Sequence, residues 1–178
     1  MRNDKSLAAA RPASVEPWLR GTLIDVPAVA RGVLHALELA REDMEKWCGG
    51  LTDEELNVRP AGLPSIAFHV RHIARSLDRL LTYAEGRGLT QQQLVELKSE
   101  LEPGVTRDSL FAELAAALAR SAERVRGLAT GDLEESRTVG KKALPTTVGG
   151  LLVHVADHMQ RHVGQAVTTS KVIAALRG

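Results

Sequence analysis

Three of the six histidines stand at four-residue intervals near the end of the chain, at His154, His158 and His162. Residues four apart lie on nearly the same face of an α-helix, so an adjacent pair can direct two imidazoles at one metal ion. His154 and His162 would lie about 12 Å apart along a helix axis, which is too far for both to bind the same ion. At most one adjacent pair can therefore chelate a metal.

The apolar positions of this segment favour the pair His158 and His162. A stripe with the spacing of a bundle-facing helix runs through Val148, Leu152, Val155, Met159 and Ala166. At about 100° per residue, His162 falls inside the stripe and His158 at its edge, whereas His154 falls nearer the polar side. No Glu follows His158 in the manner of H-E-x-x-H, so that metalloprotease pattern is excluded.

A third metal ligand can come from an earlier segment that contains His69 and His72. Helical phase favours His69, which falls closer to the apolar stripe of its segment, whereas His72 lies at the margin and could face a pocket. Three neutral imidazoles suit Zn²⁺ or Ni²⁺ and leave positions open for water or substrate. The residues alone do not decide between the two histidines. Each histidine could equally be a core or surface residue without a metal.

Four long amphipathic segments predict an all-α protein. They cover residues 25–47, with Asp25 as N-cap, and residues 65–86, 106–128 and 146–176. Two short helices are predicted to begin at Thr52 and Thr90. Strand signals are nearly absent, and residues 130–145 are predicted to be a loop. The twenty residues between the second and third long helices form a crossover, so a four-helix bundle is the expected fold.

Composition indicates an ordinary globular protein. The 178 residues are 44% hydrophobic and 25% charged, with a net charge of +1. Aromatic residues make up only 3%, and no basic run is present, which argues against nucleic-acid binding. Cys48 is the single cysteine, which excludes an intrachain disulfide and fits a reducing cytoplasm. No run is long and apolar enough to predict a signal peptide or a membrane span.

The organisation expected from these patterns is simple. Residues 1–16 have mixed charge, Ala and Pro without a sustained period, and are predicted to be a flexible leader. Residues 17–178 are predicted to form one domain, located in the cytoplasm. The second long helix carries an arginine at every fourth residue, at Arg71, Arg75 and Arg79. The default prediction is that these arginines form a solvated helix face, and the alternative is that they attract an anionic substrate.

Two motifs carry a resemblance to a known family. The first motif is Ser65-Ile66 followed by His72-Ile73-Ala74, and the second is the H-x-x-x-H-x-G-Q sequence that begins at His158. With these motifs the chain resembles the DinB/YfiT-like superfamily over about residues 16–175. The resemblance implies an up-down-down-up four-helix bundle and a metal held by His72, His158 and His162. Two interpretations stay open for His69 and His154: they orient ligands or contact substrate, or they are partly buried structural histidines. The usual family pattern has Arg where this chain has Val163.

The resemblance also implies a class of function. Members of the superfamily include thiol S-transferases that use low-molecular-weight thiols such as bacillithiol or mycothiol. The resemblance therefore implies a metal-dependent S-transferase or hydrolase that acts on a small molecule. A homodimer is also expected. No acidic residue is clearly placed as a general base. The alternative is a non-catalytic, stress-associated metal-binding bundle that acts through oligomerisation or a partner. DNA repair ranks last, because the chain is nearly neutral and poor in aromatic residues.

Overall fold

The computed structural model describes residues 15–177, which form six α-helices and one short hairpin. The helices are α1 (Ala28–Cys48), α2 (Asp53–Asn57), α3 (Ile66–Ala84), α4 (Gln91–Lys98), α5 (Arg107–Leu128) and α6 (Val148–Leu176). The strands are β1 (Ser136–Val139) and β2 (Leu144–Thr147), and short 3-10 turns cover Pro17–Leu19 and Pro60–Gly62. Residues 1–14 of the predicted leader lie outside the described residues.

Local capping sets the start of most helices. Side-chain oxygens accept hydrogen bonds from the first turns of five helices, at Thr52, Ser65, Thr90, Thr106 and Thr147. Thr52 and Thr90 each form a complete capping box, with Glu55 and Gln93 respectively. These starts confirm the sequence-based predictions, because each cap depends only on residues three apart.

The start of α1 was predicted wrongly. The helix begins at Ala28, and Pro27 occupies the N-cap position without a side-chain hydrogen bond. Asp25 cannot be the cap, because Val26 would then have to be helical directly before a proline. The proline ring disfavours helical backbone angles in the residue that precedes it.

The four long helices α1, α3, α5 and α6 pack as a bundle in which α6 contacts α1 and α3, and α5 contacts the same two helices from the other side. The most deeply buried side chains include Met44, Leu77, Leu81, Leu110, Leu152 and Met159. Burying one such side chain stabilises the fold by about 1.5–3 kcal/mol. None of the helices within residues 15–177 combines the length and hydropathy that a bilayer span requires.

Contacts between α1 and α6 show that these helices run in the same direction. The Gln160 amide donates to the Ala36 carbonyl at 2.8 Å, and the Ser170 hydroxyl donates to the Trp47 carbonyl at 2.6 Å. Residue numbers thus increase together along both helices.

The other two long helices, α3 and α5, also run parallel to each other. Near their ends, the Arg124 guanidinium of α5 bonds Asp78 at 2.6 Å and Glu85 at 2.6 Å. The pair α3 and α6 is antiparallel, with His69 near His162 and His72 near His158. The order is therefore up-down-down-up, and the crossover that contains α4 returns the chain to the start of α5, as the sequence predicts.

The segment predicted as a loop before α6 instead contains the β1–β2 hairpin. Ser136 pairs with Thr147 and Val139 with Leu144 in an antiparallel register. Strands of four residues are too short to give a clear alternating pattern, so the sequence did not reveal them. The segment just before the hairpin contacts the start of α6, where the Gly149 amide donates to the Leu133 carbonyl at 2.8 Å.

Candidate metal centre

The structure brings His72, His158 and His162 together between α3 and α6. A potential ligand atom from each of the three lies within 4.8 Å of the other two. The Nε2 atoms of His72 and His158 are 2.9 Å apart, and the ring centroids of His72 and His162 are 4.3 Å apart. Because α3 and α6 are antiparallel, one turn of α6 supplies two imidazoles and the facing turn of α3 supplies the third.

A buried carboxylate orients the His72 ring. His72 Nδ1 donates to Glu100 Oε2 at 2.7 Å, and the other oxygen, Glu100 Oε1, accepts from the Arg79 guanidinium at 2.7 Å. Since Nδ1 carries the proton, His72 presents an unprotonated Nε2 to the cluster. A carboxylate bonded to the far nitrogen of an imidazole is the usual way in which proteins orient a metal-binding histidine.

Glu100 is a functional residue that the sequence did not identify. It is only 4% exposed and follows α4 in the crossover. Burial by itself would raise the pKa of its carboxyl group, but the hydrogen bonds from His72 and Arg79 outweigh that effect and lower the pKa below its usual value. Glu100 is therefore ionised at neutral pH and balances the buried charge of Arg79.

The arginines of α3 fasten the crossover to the bundle. Arg75 donates to Glu113 at 2.8 Å and to the Glu96 carbonyl at 2.8 Å, while Arg79 bonds Glu100. The default prediction of a solvated arginine face is therefore wrong for both residues. Their role is to hold the segment that carries Glu100 against His72.

His69 lies beside the cluster and contacts His162. It is 2% exposed, and its Nδ1 lies 3.1 Å from Nδ1 of His162. With that atom engaged, Nε2 is the nitrogen that His162 can present to the cluster. Helical phase placed His69 nearer the apolar stripe, and its burial agrees with that position. The residue that lies with His158 and His162 is nevertheless His72, at the margin of the stripe.

Burial keeps His158 and His162 neutral. Burial is the main cause that lowers the pKa of both His158 and His162 to about 4. Burial likewise lowers the pKa of His69 to about 4. Neutral imidazole is the form that binds metal ions, so these rings need not lose a proton at pH 7 to act as ligands.

Comparison with known proteins agrees with this fold. The family model of the DinB superfamily matches residues 36–166, a span that includes all three clustered histidines. The chain belongs to the DinB superfamily. A search of curated proteins found no match to this DinB protein.

Two solved structures resemble the DinB fold described here. The first is YfiT from Bacillus subtilis, which is described as a probable metal-dependent hydrolase with an unusual four-helix bundle topology. It aligns with a TM-score of 0.60 and 17% sequence identity, and the alignment covers 80% of this chain and 86% of YfiT. A conserved protein from Enterococcus faecalis has a TM-score of 0.60 and 23% identity, covering 83% and 98% respectively. At these identities the likeness establishes the fold.

His154 of this DinB protein lies outside the three-histidine cluster. Its side chain is 46% exposed and contacts Asp157, with 2.9 Å between Nδ1 and Oδ1. Its ring centroid is 5.3 Å from that of His158, so the two rings are neighbours. Val163, at the position where the family pattern usually has Arg, is buried in the core.

Cys48 does not take part in the site. The residue is fully buried at the end of α1, and burial raises the pKa of its thiol to about 12. A thiol with so high a pKa is almost entirely protonated at neutral pH and is a poor nucleophile. Cys48 is therefore a buried residue of the core and not a reactive thiol.

The residues of the cluster fit a divalent metal ion. Three imidazoles converge, and one of them is oriented by a buried carboxylate. Within the described residues, His72, His158 and His162 are the group of His, Cys, Asp or Glu side chains whose ligand atoms lie close enough together to hold an ion. Nitrogen donors of this kind are preferred by zinc and by late first-row transition metals.

Proposed function

We propose that this DinB protein is a divalent-metal-dependent enzyme in which His72, His158 and His162 hold Zn²⁺ or Ni²⁺. The observation that supports the proposal is the convergence of three imidazoles within 4.8 Å, with His72 oriented by Glu100. Catalytic zinc sites typically use three protein ligands and keep a fourth position for water or substrate. A site of three histidines has the composition of such an open centre.

When bound, the ion would act as a Lewis acid and lower the pKa of a coordinated water or thiol. The protein residues contribute orientation. Glu100 fixes the His72 ring, His69 contacts the far nitrogen of His162, and the Phe68 ring stacks against His72 with centroids 5.5 Å apart. Both oxygens of Glu100 are engaged by His72 and Arg79, so Glu100 serves to position and is not a free general base.

The reaction class that we propose is hydrolysis, or transfer of a small thiol, at an electrophilic centre of a small molecule. Hydrolysis is supported by the fold shared with YfiT, which is described as a probable metal-dependent hydrolase. Thiol transfer is supported by the resemblance of the histidine motifs to thiol-using members of the superfamily. A homodimer stays a prediction.

Elemental analysis of purified, untagged protein tests the proposal. We expect about one Zn or Ni per chain in the wild type, and loss of the metal in His158→Ala and in His162→Ala. His154→Ala is the matched control, because it removes a neighbouring histidine of the same helix and should retain the metal. Absence of metal from reconstituted, folded wild-type protein would contradict the proposal.

Proteins that retain metal should then be assayed with ester and amide substrates and with small thiols plus an electrophilic acceptor. Turnover that falls in parallel with metal content supports the enzyme. Full metal occupancy without turnover in either assay would instead favour the non-catalytic metal-binding bundle.

A further inference from the structure

A cavity of about 430 Å³ lies beside His69, the neighbour of the histidine cluster. Leu63 and Pro64, in the segment before α3, form part of its wall, and the second half of α6 forms another part. His69 also borders the cavity, and its Nδ1 lies 3.1 Å from His162. The cavity is therefore one side chain away from the proposed metal ligands.

The polar groups that border this cavity are suited to an anion. Arg161, Gln165 and Thr168 line it from α6, and none of its lining residues is acidic. The Arg161 guanidinium has Asp157 as its ion-pair partner at 3.5 Å, and both side chains are at least half exposed. Such a long, exposed pair is weak, so Arg161 remains available to a ligand.

A larger cavity, of about 600 Å³, lies near the hairpin but lacks this character. Its arginines are balanced by acidic neighbours that line the same cavity, Arg87 by Glu85 and Arg137 by Glu135. It therefore offers no unbalanced positive charge to an anionic ligand.

The hydrogen bond between His69 and His162 determines which nitrogen of His69 carries the proton. If His162 presents Nε2 to the metal, its Nδ1 carries the proton and donates to Nδ1 of His69. The proton of the neutral His69 ring is then on Nε2. This step rests on the proposed metal site.

Gly164 keeps the same cavity open. The residue lies inside α6, where glycine lowers helix stability relative to alanine. A Cβ atom at Gly164 would meet no atom within 4 Å, so packing does not require glycine there. At Gly149, by contrast, a Cβ would lie 3.1 Å from the Leu133 carbonyl oxygen. Because Gly164 borders the cavity, a side chain at this position would extend into the space that a ligand needs.

We propose that this cavity binds the carboxylate-bearing part of the substrate, a small organic acid with an apolar body. Arg161 and Gln165 bind the carboxylate, and Leu63 and Pro64 contact the apolar part. This inference rests on the proposed function in that it makes the cavity the substrate subsite of the histidine centre. Arg161 and Gly164 then determine specificity, through charge and through space respectively.

Calorimetric titration of the full chain with hexanoate and with hexanamide tests the inference, since the two probes differ mainly in charge. We expect hexanoate to bind the wild type about two- to fivefold more tightly than hexanamide, as for one exposed charge pair. Arg161→Gln should abolish this preference, and Arg120→Gln, at an exposed arginine of α5, should retain it. Gly164→Leu should weaken the binding of both probes while circular dichroism stays unchanged.

Equal affinity of the wild type for hexanoate and hexanamide, or an undiminished preference in Arg161→Gln, would overturn the inference. Failure of the proposed function gives a different result, because metal content is measured separately on the same preparations. Hexanoate binding that depends on Arg161 in a protein without metal would support the cavity as a carboxylate site and refute its role beside a metal centre. Full metal content without carboxylate preference would refute the cavity alone.

Discussion

Replacement of Glu100 by Gln tests how the protein orients the proposed metal ligand His72. The Glu100 carboxylate accepts from His72 Nδ1 at 2.7 Å and is 4% exposed, so solvent does not screen the interaction. A Gln side chain has nearly the same shape but no charge, and it can present an amide N–H to the ring and favour the wrong tautomer. Loss of such a partner typically weakens metal binding by about 10–100-fold, or roughly 1.4–2.7 kcal/mol.

Competition titration with a chromophoric zinc chelator measures this effect. The matched control is Glu113→Gln, which removes a carboxylate that bonds Arg75 and does not touch His72. We expect Glu113→Gln to bind zinc as the wild type does.

Glu100→Gln also leaves the Arg79 guanidinium without its buried counter-ion, which can destabilise the fold. Arg79→Met separates the two effects, because it removes the ion pair and keeps the bond between Glu100 and His72. We expect Arg79→Met to lower the free energy of unfolding while changing zinc affinity much less than Glu100→Gln does. Equal zinc affinity of Glu100→Gln and Glu113→Gln would refute the positioning role of Glu100.

Three further predictions concern stability and reactivity. The metal-free protein should lose stability as the pH falls from 6.5 towards 4. The pKa values of His158 and His162 are about 4 in the folded protein and about 6.5 in the unfolded chain, so the unfolded chain binds more protons in this range. An unchanged urea midpoint between pH 7 and 5 would contradict this prediction. Gly149→Ala should lower the thermal midpoint, because its Cβ would crowd Leu133. Gly164→Ala should instead raise the free energy of unfolding by about 0.5–1 kcal/mol. Cys48 should react with a thiol reagent only at the rate of unfolding, and fast labelling of the native protein would show that it is accessible.

Features of the fold that depend on nearby residues could be predicted from the sequence. Thr90 and Gln93 form a capping box within one turn, and the start of α4 follows directly from that pair. The apolar stripe of α6 likewise determines which face turns inward, and it places His158 and His162 towards the facing helix. Local spacing was sufficient in both cases.

The remaining features depend on contacts that the sequence does not display. Glu100 meets His72 across 28 positions of the chain, and only the path of the crossover brings them together. Helical phase could not choose His72 over His69, because both lie near the inward face and the crossing of α3 with α6 decides which ring meets His158. The hairpin was missed because its strands, such as Ser136–Val139, are only four residues long.

A crystal structure of the metal-loaded protein, with anomalous diffraction recorded at the absorption edge of the bound metal, tests the metal centre most directly. We predict one anomalous peak per chain, within bonding distance of a nitrogen from each of His72, His158 and His162, with Glu100 still bonded to His72. A peak at another site, or no peak in protein crystallised with one equivalent of Zn²⁺ or Ni²⁺, would contradict the proposed centre.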